Sequence, residues 1–172
     1  MKDEEKVIIY ENILKEFQKQ KVKYVLVGGM AVNLLGALRA TNDLDVLVEL
    51  SDKNLLKIVK ILKKNGYHIK QPVDPAGIAD KKIRGDWIKN KNLKALNFYK
   101  EGGMQEVDLI IDSPVLFKKA YSDCVTVKAA GMVIKVASID DMIKMKRKAG
   151  RAIDKFDIAE LKTIRKLKKK NV

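Results

Sequence analysis

Cysteine and histidine are almost missing from this chain of 172 residues, which holds one of each, Cys124 and His68. A single cysteine builds no disulfide framework, and one of each leaves a zinc site short of ligands. A Ser-His-Asp triad would have to use His68, which sits in "NGYHIK" with no nucleophile-elbow sequence around it, so hydrolysis by that route is set aside. Both residues are read as structural. No apolar run approaches the length that crosses a bilayer, and the opening "MKDEEKV" lacks the basic-then-apolar order of a secretion signal. A cytoplasmic protein without a membrane partner is expected. Repeats and low-complexity linkers are absent too. "GGMAVNLLG" is neither G-x-G-x-x-G nor a Walker loop, which argues against dinucleotide oxidoreductases and P-loop NTPases.

What the chain does have is a balance of 47% hydrophobic and 34% charged residues, the make-up of a soluble globular protein able to bury a core. Its length predicts one domain over 1–172, with a basic helical tail from about residue 162. The formal net charge of +14 is visible in the terminal "KTIRKLKKKNV". Such an excess favours polyanionic partners, a nucleic acid or a polyphosphate. The alternative is a Lys-rich surface that serves solubility or a hot environment.

Hydrophobic spacing predicts an amphipathic helix over residues 4–20, then a short strand in "KYVLVG", a helical pattern in "MAVNLLGAL" and a strand in "DLDVLVEL". Ser51 or Asp52 can cap a helix through "KNLLKIVKILKKNG", with Gly66 as its stop. Residues 70–92, broken by Pro72, Pro75, Gly77 and Gly85, read as a loop with a short helix. "LKALNFYK" and "MQEVDLIID" flank "EGG" as a hairpin, Pro114 starts a short helix, "CVTVKAAGMVIKVAS" makes a second hairpin, and helices follow near 138–149 and 152–169. The fold class expected is α+β, one mixed twisted sheet with flanking helices and a helical C-terminus.

Two aspartates in a core-like strand require an explanation. Side chains alternate along a strand, so Asp43 and Asp45 share a face while Leu44 and Val46 point the other way. Neighbouring carboxylates repel each other unless a cation lies between them, and an all-oxygen set without Cys or His suits Mg²⁺ or Mn²⁺. Asp108 in "EVDLII" supplies a third carboxylate if its strand neighbours the first, with Glu106 and Asp112 as competitors for the role. Three such groups can hold two ions about 3.5–4 Å apart for an in-line phosphoryl or nucleotidyl displacement. Upstream, Gly28 and Gly29 end a strand and open a helix, where bare N–H groups attract phosphate oxygens. A nucleoside triphosphate with bound metal fits both halves.

The pattern apolar-Gly-Gly, thirteen residues, Asp-apolar-Asp-apolar, with a later Asp on another strand, resembles the polymerase-β-like nucleotidyltransferase superfamily. The resemblance implies that Gly28 and Gly29 hold the triphosphate, that Asp43 and Asp45 bind metal, and that Asp108 helps activate the acceptor hydroxyl. Gly29 stands where many members carry a serine. "VASIDDMIKMKRKAGRAIDKFDIAEL" is similar to the segment that follows the sheet in small bacterial members, including the AbiEii-type toxin group. It implies phosphate contact by Lys146 and Arg151, with Asp154 and Asp157 after them in order. Residue spacing alone also allows these four to be an ion-paired helical face. Arg39 and Thr41 are further candidates for phosphate contact or loop anchoring. Tyr24, Trp87, Phe98 and Tyr99 are read as core or strand surface.

Three functions are compatible with these features. The first is a metal-dependent nucleotidyltransferase that moves NMP from an NTP to a hydroxyl of RNA, protein or a small molecule. The second is a nucleotide-binding relative without turnover in a toxin-antitoxin-like pair. The third is a basic nucleic-acid-binding module. The intact carboxylate set favours the first.

Overall fold

The structure, a computed structural model, describes residues 9–170. Its N-terminal helix α1 (Glu11–Lys19) buries Ile13, Leu14 and Phe17 along one stripe, as the apolar spacing requires; residues 4–8 of the expected helix lie outside the described residues. Tyr10, just before α1, is buried and ties the helix to the sheet. Its hydroxyl lies 2.9 Å from the carbonyl of Glu106 and accepts the Glu106 N–H at 3.0 Å, beside the carbonyl of Asn42. The helix is thereby pinned to the starts of the two strands that carry the aspartates.

Strand β1 (Tyr24–Val27) is buried at all four positions and runs directly into α2 (Gly28–Leu34). Strand β2 (Asp43–Val48) follows, and α3 (Asp52–Lys64) packs Leu55, Ile58, Val59, Ile61 and Leu62 inward. Ser51 occupies the cap position of α3, but its hydroxyl donates to Glu49 at 2.9 Å and leaves the helix N–H groups alone. After β3 (Tyr67–Ile69), residues 70–92 hold more helix than the expected loop with a short helix. A 3₁₀ turn at Pro75–Ala79 leads into an eleven-residue helix, α4 (Lys81–Lys91). Asp80 starts it by accepting from the N–H groups of Lys82 and Ile83, and that cap together with the burial of Arg84 and Trp87 offsets the cost of Gly85 in the helix interior.

The first expected hairpin is present as β4 (Ala95–Lys100) and β5 (Glu106–Ile110), paired antiparallel. The next helix, α5 (Phe117–Asp123), starts three residues after Pro114, because Ser113 turns the chain by accepting from the Val115 N–H and Leu116 stays extended. The second hairpin, β6 (Val125–Ala129) with β7 (Met132–Val136), precedes α6 (Ile139–Ala149) and α7 (Ala152–Lys170). Gly150, at φ +67°, lets the chain reverse between these two helices. Among the described residues no helix is long and apolar enough to cross a membrane.

The seven strands form one mixed sheet in the order β3-β4-β5-β2-β1-β7-β6. β2 runs parallel to β5 and antiparallel to β1, while β1 runs parallel to β7. The strands expected from the sequence to be neighbours, 23–28, 44–49 and 106–111, are adjacent at the sheet's centre as β1, β2 and β5.

Candidate active site

Register places the carboxylates. On the parallel pair β2–β5, Asp43 lies opposite Glu106 and Asp45 opposite Asp108. The alternate positions Leu44, Val46, Val107 and Leu109 are fully buried in the core. One face of these central strands thus belongs to the core and the other carries four acidic side chains, which is why aspartates occur in so apolar a run.

The cost of that face is visible in its titration. Burial first, then the charges of Asp108 and Asp43, push the Asp45 carboxyl up to about 7. Asp43 is raised by burial and by Glu106. Asp108 is also raised by burial, against which a hydrogen bond from Asn97 acts. Lys146 is the cation that draws Asp45 back down.

Helices α6 and α7 roof this face and leave a cleft of about 260 Å³ lined by Gly28, Asp45, Asp108, Met145, Lys146 and Arg151, among others. Gly28 is essential to its shape. At φ +71° it adopts a backbone conformation that other residues rarely take, and a Cβ there would stand 1.8 Å from Asp45 Oδ2. Gly29 is crowded by other groups: a Cβ on it would lie 1.9 Å from Arg39 Nη1 and 2.9 Å from Thr41 Oγ1. Arg39 is fixed by Asn33, which accepts its N–H at 3.0 Å and donates to its carbonyl at 2.8 Å. Its Nε lies 3.4 Å from Asp157 Oδ1.

The C-terminal helices contribute a buried ion-pair network. Lys146 Nζ is 2.6 Å from Asp157 Oδ2 and 3.6 Å from Asp154 Oδ1, and all three side chains are at least nine-tenths buried. Arg151 grips Asp154 from outside, through Nε at 2.8 Å and Nη2 at 3.2 Å. Burial pushes Asp154 up, but the Arg151 side chain and N–H outweigh it and hold the carboxyl below its ordinary range. Lys146 and Arg151 therefore form the ion pairs that their spacing allowed, and both also line the cleft.

Not every candidate converges. Asp43 and Gly29 stand beside the cleft and are not part of its lining. Glu106 is engaged by Lys70 at 2.6 Å, and Asp112 lines a neighbouring hollow with Lys94 and Lys148. His68 packs against Tyr99 on the edge strand, and Cys124 donates to the carbonyl of Tyr121. Among the described residues no three acidic, histidine or cysteine side chains stand in ligand geometry; Asp45 and Asp108 are the two acids that face each other in register and also line the cleft. An oxygen-only cluster in which burial and neighbouring acids both disfavour the ionised form of Asp45 fits a hard divalent cation, because such an ion would compensate the buried charge and offset the repulsion.

The sequence reading missed Asn97, which lies opposite Asp108 in the β4–β5 hairpin. Counting outward from "EGG" would have set Leu96 against Asp108; the observed register is centred one half-step later, between Gly102 and Gly103, and that shift brings Asn97 opposite the acid. Gln71, which binds Asn97 from a loop, carried no comparable signal.

A mixed sheet with carboxylates paired across its two central strands and a cleft under C-terminal helices defines a nucleotidyltransferase-like fold. The chain belongs to the family described as Nucleotidyltransferase of unknown function (DUF6036), whose model matches residues 7–171. Among solved structures it is similar to the lincosamide antibiotic adenylyltransferase LnuA with lincomycin bound, at 18% identity and TM-score 0.60, over 93% of this chain and 96% of that one. It is also similar to ANT(2")-Ia in complex with adenylyl-2"-tobramycin, at 13% identity and TM-score 0.59, over 91% and 87% of the two chains. An antigenic nucleotidyltransferase-like protein from Paracoccidioides brasiliensis matches at 18% identity and TM-score 0.56, over 96% and 77%. No curated protein matches the chain.

Proposed function

We propose that the protein is a divalent-metal-dependent nucleotidyltransferase that moves NMP from an NTP to a hydroxyl acceptor. The observation that carries this reading is the Asp45–Asp108 pair, set across parallel strands and opening onto a cleft that Gly28 and Lys146 also line. Asp43, Asp45 and Asp108 would hold Mg²⁺ or Mn²⁺. When bound, the ions offset the charge on the triphosphate and on the oxygens of an in-line displacement. Lys146 and Arg151 contact the phosphates, and Gly28 keeps the strand-to-helix turn close to Asp45. The acceptor oxygen forms a bond to the α-phosphorus as the bond to the β-phosphate oxygen breaks. Asp108 takes the acceptor proton, and pyrophosphate leaves.

The acceptor is a small molecule, an RNA or a protein side chain. The ligands of LnuA and ANT(2")-Ia support the first, and the charge of +14 supports the second. Kinship with the AbiEii-type group, and with it a toxin-antitoxin role, rests only on the order Lys146, Arg151, Asp154, Asp157. The deciding experiment incubates the protein with each α-labelled NTP, Mg²⁺ or Mn²⁺, and pools of RNA, protein and small hydroxyl compounds. Label transfer is expected, absent with EDTA and absent for Asp45→Asn. Transfer that persists in that variant would sink the reading.

A further inference from the structure

Within the acidic cluster, Asp108 is gripped by a neutral side chain. Asn97 Nδ2 donates to Asp108 Oδ1 at 2.6 Å. The closeness follows from strand geometry. The N–H and C=O of Asn97 both point away from β5, to Gln71 Oε1 at 3.0 Å and to the Lys70 N–H at 2.8 Å. Asn97 and Asp108 are therefore a non-hydrogen-bonded antiparallel pair, the kind whose facing side chains come nearest. Edge strand β3 pairs with β4 only as far as Ile69 opposite Phe98, and the Gln71 side chain takes over the ladder beyond that point.

An asparagine can turn either its oxygen or its NH₂ toward a neighbour, and only the NH₂ suits a carboxylate. Gln71 decides the matter. The backbone N–H of Asn97 can only donate, so Gln71 must give it Oε1. Gln71 Nε2 then meets Asn97 Oδ1, which leaves Asn97 Nδ2 for Asp108. A polarity that cannot be reversed, that of a backbone N–H, is passed through two amides to the carboxylate.

We infer that Gln71 and Asn97 are positioning residues that fix the orientation of Asp108 toward Asp45 and the metal; the inference rests on the assignment of Asp108 as a metal-binding, acceptor-activating group. Neither amide is part of the cleft lining. Both act through Asp108, so their effects are coupled.

The test measures Mn²⁺ affinity of the full-length protein by electron paramagnetic resonance, with thermal melts confirming the fold of each variant. Asn97→Ala weakens binding by about 10- to 100-fold, the usual effect of losing a group that orients a ligand. Gln71→Ala weakens it less, and the double variant is no weaker than Asn97→Ala alone, because Gln71 acts only through Asn97. In an Asp108→Asn background both changes are silent. The sharpest arm is Gln71→Glu, which keeps size and the acceptor for the Asn97 N–H but sets a second oxygen against Asn97 Oδ1. The asparagine amide then turns over and points its oxygen at Asp108, so this variant binds Mn²⁺ more weakly than Gln71→Ala. A packing role predicts the reverse order, and so does the added negative charge. If Gln71→Glu binds as well as or better than Gln71→Ala, or if the losses add, the relay is wrong while the metal site stands. If the unaltered protein binds no Mn²⁺, the carboxylate assignment itself fails and the relay with it.

Discussion

Asp45 and Asp108 face each other in register across two parallel strands, with Asp45 held up to about 7 by burial and by its acidic neighbours. The sign of the resulting pH dependence is fixed by which state holds the proton. Unfolded, the Asp45 carboxyl ionises near its ordinary value of about 3.9. Folded, it keeps its proton until about pH 7. Between those values the folded state binds more protons, so metal-free stability falls by about 1.4 kcal/mol for each pH unit climbed. Asp154, held low, acts in the opposite sense only below that window. Melts in EDTA should therefore give a higher Tm at pH 6 than at pH 8. Saturating Mg²⁺, or Asp45→Asn, should remove the difference.

The two glycines should respond differently to substitution. In Gly28→Ala the new Cβ meets Asp45 at three atoms within 2.8 Å, and φ is +71°. Both space and backbone oppose it, so a loss of more than about 1 kcal/mol in urea denaturation is expected, together with loss of Mg-NTP binding in calorimetry. In Gly29→Ala the nearest obstacle is the end of the Arg39 side chain. Arg39 must shift against Asp157, but Gly29 lacks the positive φ of Gly28, so the variant should be the more stable of the two.

Strands, hairpins and the acidic face were readable in the sequence because each depends on local spacing: Asp43 and Asp45 two apart, "EGG" between apolar runs, Gly150 between two helical patterns. The resemblance added Lys146 and Arg151, which no local rule distinguishes from other lysines and arginines. Register across β2–β5 was out of reach, because parallel strands are joined by long connections that fix no alignment. The helix Lys81–Lys91 was hidden by Gly85, whose cost of about 1 kcal/mol against Ala is offset by the Asp80 cap and the burial of Arg84 and Trp87. Gln71 was invisible because it acts on β4 from a loop 26 residues away.

Lys146 and Asp157 separate a structural role from a phosphate-binding one. The pair is buried at 2.6 Å, with Asp157 fully enclosed between Lys146 and Arg39. Removing one partner of a buried pair leaves the other uncompensated, so Asp157→Ala should cost about 3–5 kcal/mol in urea denaturation. Lys146→Met paired with Asp157→Leu replaces the pair by apolar groups and should restore part of that stability, the remainder being lost because Arg39 forfeits its contact with Asp157 and Asp154 its contact with Lys146. It should not restore Mg-NTP affinity, because the cation proposed to face the phosphates is gone. Recovery of both in calorimetry would reduce Lys146 to a structural residue.

The basic end of α7 distinguishes the acceptor classes. Lys166, Lys168, Lys169 and Lys170 are exposed on the last turns of a helix anchored upstream by Asp157 and Leu161. Arg165 pairs with Asp140 on α6, so a truncation that begins at Lys166 keeps this link. If RNA is the acceptor, phosphate contacts release counterions, and affinity falls with salt at a log-log slope of roughly 0.7 per contacted phosphate. The truncated protein should then bind single-stranded RNA more weakly and with a flatter slope. Its Mg-NTP affinity should stay unchanged, since charge on the tail is screened over about 10 Å at moderate salt. Filter binding across a salt series measures the first effect and calorimetry the second. RNA affinity and slope that survive the truncation would remove the tail's support for an RNA acceptor and leave a small hydroxyl compound as the better substrate.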